Sequence, residues 1–290
     1  MSDATASLSV MAKSTNLRIA SVNVNGIRAA YRKGMADWVN SRGADIIAIQ
    51  EVRATVDDLS GLLGPEWDIL HDEATAKGRA GVALASRRKA EIHRVTFGDD
   101  DFDSAGRWLE ADYDVDGTIV TVVSTYVHSG EADTPKQVEK YKFLDALLKR
   151  LPELKAHNPL SVFMGDLNVG HRTLDIKNWR GNVKRAGFLP QERAYFDKIF
   201  GAEGEEGYNT GSAGLGWVDL GRKFAGDVDG PYTWWSNRGQ AFDNDTGWRI
   251  DYQVATPELA AKATSYAVDR YPSYDARWSD HAPIVVDYKL

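Results

Sequence analysis

The sequence predicts one α/β domain in which sheet dominates, and three observations carry that expectation. Short apolar runs alternate with helix-like stretches from the first patterned residues onward, so that LRIASVN, GMADWVNSR and DIIAIQ read strand, helix, strand. Later apolar runs are β-branched and bounded by turn residues. The 290 residues, 43% of them hydrophobic, can bury a sizeable core, and a single α/β domain of that length is routine.

Taken in order, residues 1–16 are small and polar with no apolar period, which predicts a disordered tail ahead of a domain over 17–290. The runs GVALAS, RWLEADYDV, TIVTVVSTYV and LSVFMGD predict strands, with DGT as a hairpin turn between two of them. Helical period is clear in PKQVEKYKFLDALLKRL, where Val138, Phe143 or Tyr141, Leu144, Leu147 and Leu148 share a face. Pro135 falls in its first turn and Pro152 near its end. Beyond about Gly201 the chain becomes loop-rich and aromatic, then returns to strands at RIDYQVA and PIVVDYKL.

Composition excludes several classes. No apolar run approaches the eighteen or so residues of a membrane span, and the N-terminus lacks the pattern of a signal peptide, so a soluble, cytoplasmic protein is expected. The absence of cysteine removes disulfides, thiolate-bound zinc and thiol nucleophiles. A net charge of -7 argues against binding nucleic acid over the whole surface and leaves room for a local basic rim. Basic residues gather in RGNVKRAG (180–187) and KQVEKYKFLDALLKR (136–150), acids in GDDDFD and GAEGEE, and each cluster alone reads equally well as a solvated face.

Four apolar strands run straight into oxygen or imidazole donors: SVNVNG, IAIQEV, FMGDLN and, near the end, RIDYQ with SDHAP. Asp or Asn after a strand is most often a turn former. Four repeats of the placement weaken that reading, because strand ends are how such folds assemble one site from distant sequence. The donors are carboxylates and carboxamides, without Cys and without an HxxxH or HxH pair, a set that suits Mg²⁺ or Mn²⁺ and suits zinc poorly. A GxSxG elbow and a GxxxxGK[ST] loop are both missing. What remains is metal-assisted attack of water on a phosphoester.

In order, NVNG, IQEVR, TYVHSGE, GDLNV, RIDY and SDHAP resemble the motif series of the exonuclease III family of apurinic/apyrimidinic endonucleases, in the DNase I-like endonuclease/exonuclease/phosphatase superfamily. The resemblance runs from about Leu17 to Leu290. AGFLPQER (186–193) and YTWWSNRGQAFDNDTGWRIDY (232–252) are similar to the DNA-repair branch in particular, whereas lipid and inositol phosphatases share the metal and histidine motifs alone. The resemblance implies a four-layer α/β sandwich, two packed mixed sheets flanked by helices, and cleavage 5′ to an abasic site. It also implies 3′→5′ exonuclease and 3′-end-cleaning activity within base excision repair. Another branch of the superfamily, or a non-catalytic regulator of the same fold, is the alternative.

Carried over position by position, Glu51 matches the main Mg²⁺ ligand, with Asn23, Asn25 and Asp280 beside it and Asp166 and Asn168 completing the set. Asp166 matches the group that activates the attacking water. Asn168, two residues on, is expected on the same face of an extended segment, donating to a phosphate oxygen. His281 matches the phosphate-contacting histidine, Asp251 the acid that orients it, and Tyr126 a phosphate-contacting phenol. Trp234, Trp248 and Ile250 align with the pocket for a flipped-out abasic sugar. Arg180, Lys184 and Arg185 are expected at a DNA-binding rim. The chain departs from well-known members in carrying Ser129 where they have asparagine or glutamine, and Arg79 or Ala80 where many have an aromatic residue. The implied partner is double-stranded DNA with abasic sites or blocked 3′ ends, bound by a monomer that meets no membrane.

Overall fold

Strands that are apolar on both faces need cover on both faces, and here the cover is another sheet on one side and helices on the other. The computed structural model describes residues 15–76, 78–96, 102–201 and 213–290. In chain order the strands are β1 (Asn16–Asn23), β2 (Ile46–Gln50), β3 (Asp68–Asp72), β4 (Val82–Ser86), β5 (Ile92–Arg94), β6 (Trp108–Val115), β7 (Thr118–Thr125), β8 (Ser161–Asp166), β9 (Val218–Asp219), β10 (Asp251–Ala255), β11 (Ala263–Val268) and β12 (Ile284–Lys289). The helices are α1 (Ile27–Arg32), α2 (Met35–Arg42), α3 (Val56–Leu63), α4 (Pro135–His157), α5 (Pro190–Phe200), α6 (Leu220–Ala225) and α7 (Pro257–Ala260). One six-stranded sheet has the order β11-β12-β1-β2-β4-β3 and the other β5-β6-β7-β8-β10-β9. Within them β1 lies parallel to β2 and β7 parallel to β8, and both sheets also hold antiparallel pairs.

Strand alternation divides the core into layers. Leu17 and Ile19 of β1, Ile46 and Ala48 of β2, Val120 and Val122 of β7, and Val162 and Met164 of β8 meet between the sheets. The opposite faces, Ala20 and Val22 of β1 and Ile47 and Ile49 of β2, pack on α1, α2 and α3 through Ile27, Met35, Val39 and Leu59. Val123 and Phe163 pack outward on α4 and α5 through Phe143, Leu147 and Phe196. Helix, sheet, sheet, helix is the four-layer sandwich expected from the sequence.

The predicted strands and the DGT turn form as read, with Asp116 and Gly117 both at positive φ, as a two-residue turn of the hairpin-favouring kind requires. Other expectations are corrected. Of the predicted tail, residues 1–14 lie outside the described residues, while Asn16 already pairs with Lys289 as the first residue of β1. Helix α4 continues through Pro152 to His157, and its buried face is rotated from the predicted one: Val138 is 54% exposed, whereas Gln137 and Lys140 are buried. The basic cluster on this helix is therefore not simply a solvated face. The loop-rich stretch after Gly201 contains β9, α6 and β11 as well. The acidic runs GDDDFD and GAEGEE fall mostly outside the described residues.

The strand predicted as RIDYQVA starts at Asp251, because Arg249 is used elsewhere. Its guanidinium, fully buried, donates to Asp175 Oδ1 at 2.8 Å and to both oxygens of Asp219 at 3.0 and 2.7 Å, and lies over the Tyr252 ring. Burial alone would raise the Asp175 carboxyl, but the charge and hydrogen bonds of Arg249 hold it down to about 2. This knot fixes the chain immediately before Asp251. Arg249→Met takes the charged partner from Asp219 and leaves Asp175 with Arg222 alone, so it should destabilise the protein by about 3–5 kcal/mol. Urea unfolding measures this, and a loss below about 1 kcal/mol would mean that the knot is relaxed by water.

Candidate active site

At one rim of the sandwich the facing sides of the two sheets turn from apolar to polar. Gln50 donates to Ser21 Oγ at 3.2 Å and to Ser124 Oγ at 3.1 Å, joining the sheets. One step further along each central strand stand Asn23, last in β1, and Asp166, last in β8, both buried and both on inner faces. Asn23 Nδ2 donates to Asp166 Oδ2 at 2.9 Å and to Glu51 Oε1 at 2.8 Å. Gly165 precedes Asp166 with φ 147, and a Cβ there would stand 1.9 Å from the Thr125 carbonyl oxygen. Only glycine lets β8 come that close to its neighbour at this point.

Both strands leave the rim by the same turn. The backbone N–H of Asn25 donates to Asn23 Oδ1 at 2.9 Å, and that of Asn168 to Asp166 Oδ1 at 2.9 Å, so each side chain caps the residue two further on. Asn25 (φ 47), Glu51 (φ 50) and Asn168 (φ 50) all adopt the left-handed conformation, uncommon for residues with a Cβ. The sequence placed Asn168 beside Asp166 by strand alternation. The structure brings them together by a turn instead, and Asn168 Nδ2 donates to Val127 O at 2.8 Å and to Asp166 Oδ2 at 3.1 Å. Both amide protons are thus engaged, one of them in holding Asp166.

Asp166 and Asp251 are direct cross-strand partners of β8 and β10. Two buried carboxylates facing each other repel unless something charged lies between. His281 supplies it, with Nδ1 2.9 Å from Asp251 Oδ2 and Nε2 3.7 Å from Asp166 Oδ2. Thr233 donates to the same Asp251 oxygen at 2.6 Å and accepts the Asp251 N–H at 3.1 Å. Burial alone would lower His281, but the charges of Asp251 and Asp166 raise it well above the ordinary imidazole range. Burial raises Asp166 too, with Asp251 and Glu51 adding to the effect against the opposing charge of His281. The surrounding carboxylates thus favour the charged ring, whose far nitrogen is held by Asp251.

A cavity of about 410 Å³ opens over this arrangement. Glu51, Asn25 and Asp280 bring oxygen donors to it, and Asp166, Asn168, His281 and Tyr126 line its floor. Trp234, Trp248 and Ile250 form an apolar wall, completed by Ala186 and Gly187. A Cβ on Gly187 would meet the Trp248 ring at 2.9 Å, so the edge of the indole packs against bare backbone. Trp234 Nε1 donates to Asp280 Oδ2 at 3.1 Å, and Asn25 Nδ2 to Asp280 Oδ1 at 3.0 Å. Burial would raise Asp280, but His281 and these two donors hold it below the usual carboxylate range.

Asn23, expected among the metal ligands, does not line the cavity: its amide nitrogen serves two carboxylates and its oxygen the Asn25 backbone. It is a bridge. Among the described residues, acids and a histidine close enough to share an ion are Asp166, Asp251 and His281, with donor atoms within 4.8 Å. Asp251 and His281 are spent on each other, however. The oxygens of Glu51, Asp280 and Asn25, all hard donors at the cavity, are the set suited to a small divalent cation. Arg180, Lys184 and Arg185 are exposed in the segment leading to Ala186 and Gly187 and lie outside the cavity lining.

Sequence reasoning passed over Arg53, Arg107 and Thr233. Arg53 pairs with Glu51 across two residues and lines the cavity. Arg107 sits over the Tyr126 ring and donates to the Tyr126 carbonyl. Burial, then the nearby carboxylates of Glu51 and Asp166, raise the phenol far above its usual range, so it stays protonated as a donor. Arg53 and Thr233 stand inside quoted motifs, IQEVR and YTWW, where adjacency was their only signal. Arg79, on an exposed stretch, and Ala80, buried at positive φ, leave the absent aromatic without a replacement in the cavity wall.

Residues 20–281 match the Endonuclease/Exonuclease/phosphatase family. The chain is 31% identical to an exodeoxyribonuclease of Bacillus subtilis over 270 residues, covering 92% of this chain and 98% of that protein. It is 31% identical to the DNA repair nuclease APEX1 of Danio rerio, over 94% of this chain and 83% of that one. Among solved structures, an AP endonuclease from Archaeoglobus fulgidus superposes with a TM-score of 0.77 at 26% identity, covering 94% of this chain and all of its own.

The charge on His281 gives a titration to measure. Its raised proton affinity stabilises the fold fully below about pH 6.5, the ordinary imidazole value, and the contribution is lost as pH rises through the raised one. In the metal-free protein the His281 ring should therefore be charged at pH 7.5 by its ¹⁵N chemical shifts. Asp251→Asn should bring the midpoint down by about 1–3 pH units and flatten the alkaline loss of stability. An unmoved midpoint would mean that Asp251 is not the group that holds the charge.

Proposed function

The chain belongs to the endonuclease/exonuclease/phosphatase family, in its exodeoxyribonuclease III and AP endonuclease branch, and on that footing we propose that it is a Mg²⁺-dependent DNA-repair phosphodiesterase. It cuts the backbone 5′ to abasic sites and removes nucleotides or blocking groups from 3′ ends, as base excision repair requires. The observation that carries the reading is the juxtaposition at one cavity of an acid-held histidine, a buried carboxylate and an apolar wall of two tryptophans.

Each group has a task its chemistry supports. Asp166, whose burial raises its affinity for a proton, orients the attacking water and takes its proton. Its carboxylate is aimed by Asn23, Asn168 and the Asn168 backbone. His281 presents Nε2–H to a non-bridging phosphate oxygen, where negative charge grows in the transition state, while Asp251 fixes the ring from behind. Tyr126 donates from its phenol to the same phosphate. Glu51, Asp280 and Asn25 would hold the Mg²⁺, with Mn²⁺ as a substitute. When bound, the ion supplies positive charge to the phosphate and the leaving oxygen.

The wall selects the lesion. A cavity of about 410 Å³ bounded by Trp234, Trp248 and Ile250 suits a sugar without a base, and the close contact of Trp248 with the Gly187 backbone keeps that wall from yielding. The exposed Arg180, Lys184 and Arg185 stand where the duplex would cross the rim and meet its phosphates. Neither task needs a basic surface overall.

Incision of an abasic duplex, followed by gel with and without EDTA, tests the reading. Activity should vanish in EDTA and return with Mg²⁺, and Glu51→Gln should demand at least about tenfold more Mg²⁺ with the fold intact. Full cleavage in EDTA would refute the metal dependence. Trp248→Ala should lower the kcat/KM preference for abasic over intact duplex by roughly tenfold or more while leaving the metal response alone. Unchanged selectivity would return Trp248 to a packing role.

A further inference from the structure

A buried lysine lies beneath the cavity floor and plays no part in the chemistry described above. Lys140, on α4, and Glu192, on α5, are each 0% exposed, in a chain where charged residues normally reach water. Lys140 Nζ donates to Glu192 Oε1 at 2.6 Å, to the Asn168 carbonyl at 2.8 Å and to the Ser129 carbonyl at 3.2 Å. An ammonium has three protons, and these acceptors use all of them. Glu192 takes Gln137 Nε2 on the same oxygen at 3.0 Å and the Leu189 N–H on the other at 2.9 Å.

We infer that Lys140 and Glu192 are a positioning pair for the phosphodiesterase reaction, setting Asn168, and through it Asp166, in the orientation that catalysis needs. The inference deepens the function proposed above and rests on it. Two of the three Lys140 acceptors are carbonyls of residues that line the cavity, and the third partner anchors the segment leading into α5, just after Gly187. The pair therefore ties together the stretches carrying Tyr126 and Ser129, Asp166 and Asn168, and the backbone seat of Trp248. Asn168 needs such a tie. Its left-handed backbone persists only where its surroundings hold it, and the carbonyl of Glu51, in the same conformation, is held by the Gly26 N–H at 2.9 Å. For Asn168 the corresponding hold on the carbonyl comes from a charged side chain. Ser129 fits as well, since its carbonyl, which any residue carries, is what Lys140 grips.

Stability alone does not call for this pair. Well-packed apolar residues in place of a buried ion pair generally leave a fold as stable or more so, while removing one partner strands a charge. That asymmetry supplies the test. Three variants, Lys140→Met, Glu192→Gln and the double Lys140→Met/Glu192→Gln, are compared with wild type by urea unfolding, by steady-state cleavage of an abasic duplex, and by the Asn168 side-chain amide resonance in ¹⁵N-labelled protein.

Lys140→Met should lose stability and drop kcat by about 10²-fold, as a misplaced reacting group does, with KM nearly unchanged. The double variant should regain most of the stability without regaining kcat, and the Asn168 resonance should be displaced in both. Should Lys140→Met fail to fold, the double variant carries the comparison. If kcat returns with stability in the double variant, the pair is packing and the inference falls. An Asn168 resonance at its wild-type position in the double variant overturns it equally. That arm needs no activity: wild type that cleaves no DNA would sink the proposed function, while the resonance would still decide whether Lys140 positions Asn168.

Discussion

The carboxamide of Asn23 connects the two sheets at the point where the carboxylates gather. Its nitrogen donates to Glu51, on its own sheet, and to Asp166, on the facing one. The bond exists because both strands have their inner faces in phase: Ile19, Ser21 and Asn23 along β1 meet Val162, Met164 and Asp166 along β8. A slip of one residue in either strand would turn its polar end outward into the helical layer. The apolar packing between the sheets thus sets the position of the carboxylates, and the carboxamide lets them lie buried next to each other.

Charge imposes the second constraint. With Asp166 opposite Asp251, and Glu51 reached through Asn23, the rim concentrates acid where water is scarce. His281 between the first two relieves it, at the expense of being held as a cation with little freedom to turn. In the proposed reaction that restriction has a use: the nitrogen turned to the cavity would be a fixed donor before any phosphate arrives, and preorganised donors need no reorientation in the transition state. The Arg249 knot with Asp175 and Asp219 protects the arrangement from the other side by fixing the entry into β10.

The periods that a sequence displays are those of faces, and faces were legible here. Strand alternation located the sheets, and the repeated placement of donors after strands located the rim. What escaped were interactions that break the usual statistics. Lys140 reads as solvent-facing because a buried ammonium is rare, and its partner is 52 residues away. The rotated face of α4 follows from that burial, since Lys140 and Gln137 occupy the side that Val138 was expected to share. Asn23 has the right atoms for a metal ligand, and only the positions of Glu51 and Asp166 show that those atoms are already engaged. Thr233 and Arg107 act through a neighbour's carboxylate or carbonyl, which spacing along the chain does not reveal.

The motifs NVN and DLN show why the spacing itself is informative. Each begins with the last inner-facing residue of a central strand, and each third residue turns left-handed so that its backbone N–H can reach the first side chain. Asparagine and aspartate accept such a bond and asparagine tolerates such a backbone better than most residues, which limits what the pattern x-V/L-N can contain. The turn removes the strand from the sheet at once, and so leaves the first side chain at the rim without a following residue to cover it. One turn per sheet, joined by the Asn23 to Asp166 bond, gives two strand ends that face each other at hydrogen-bonding distance. The pairing is therefore a result of local chain chemistry repeated on two packed sheets, and the cavity above it needs only the Trp234 and Trp248 segment as its wall.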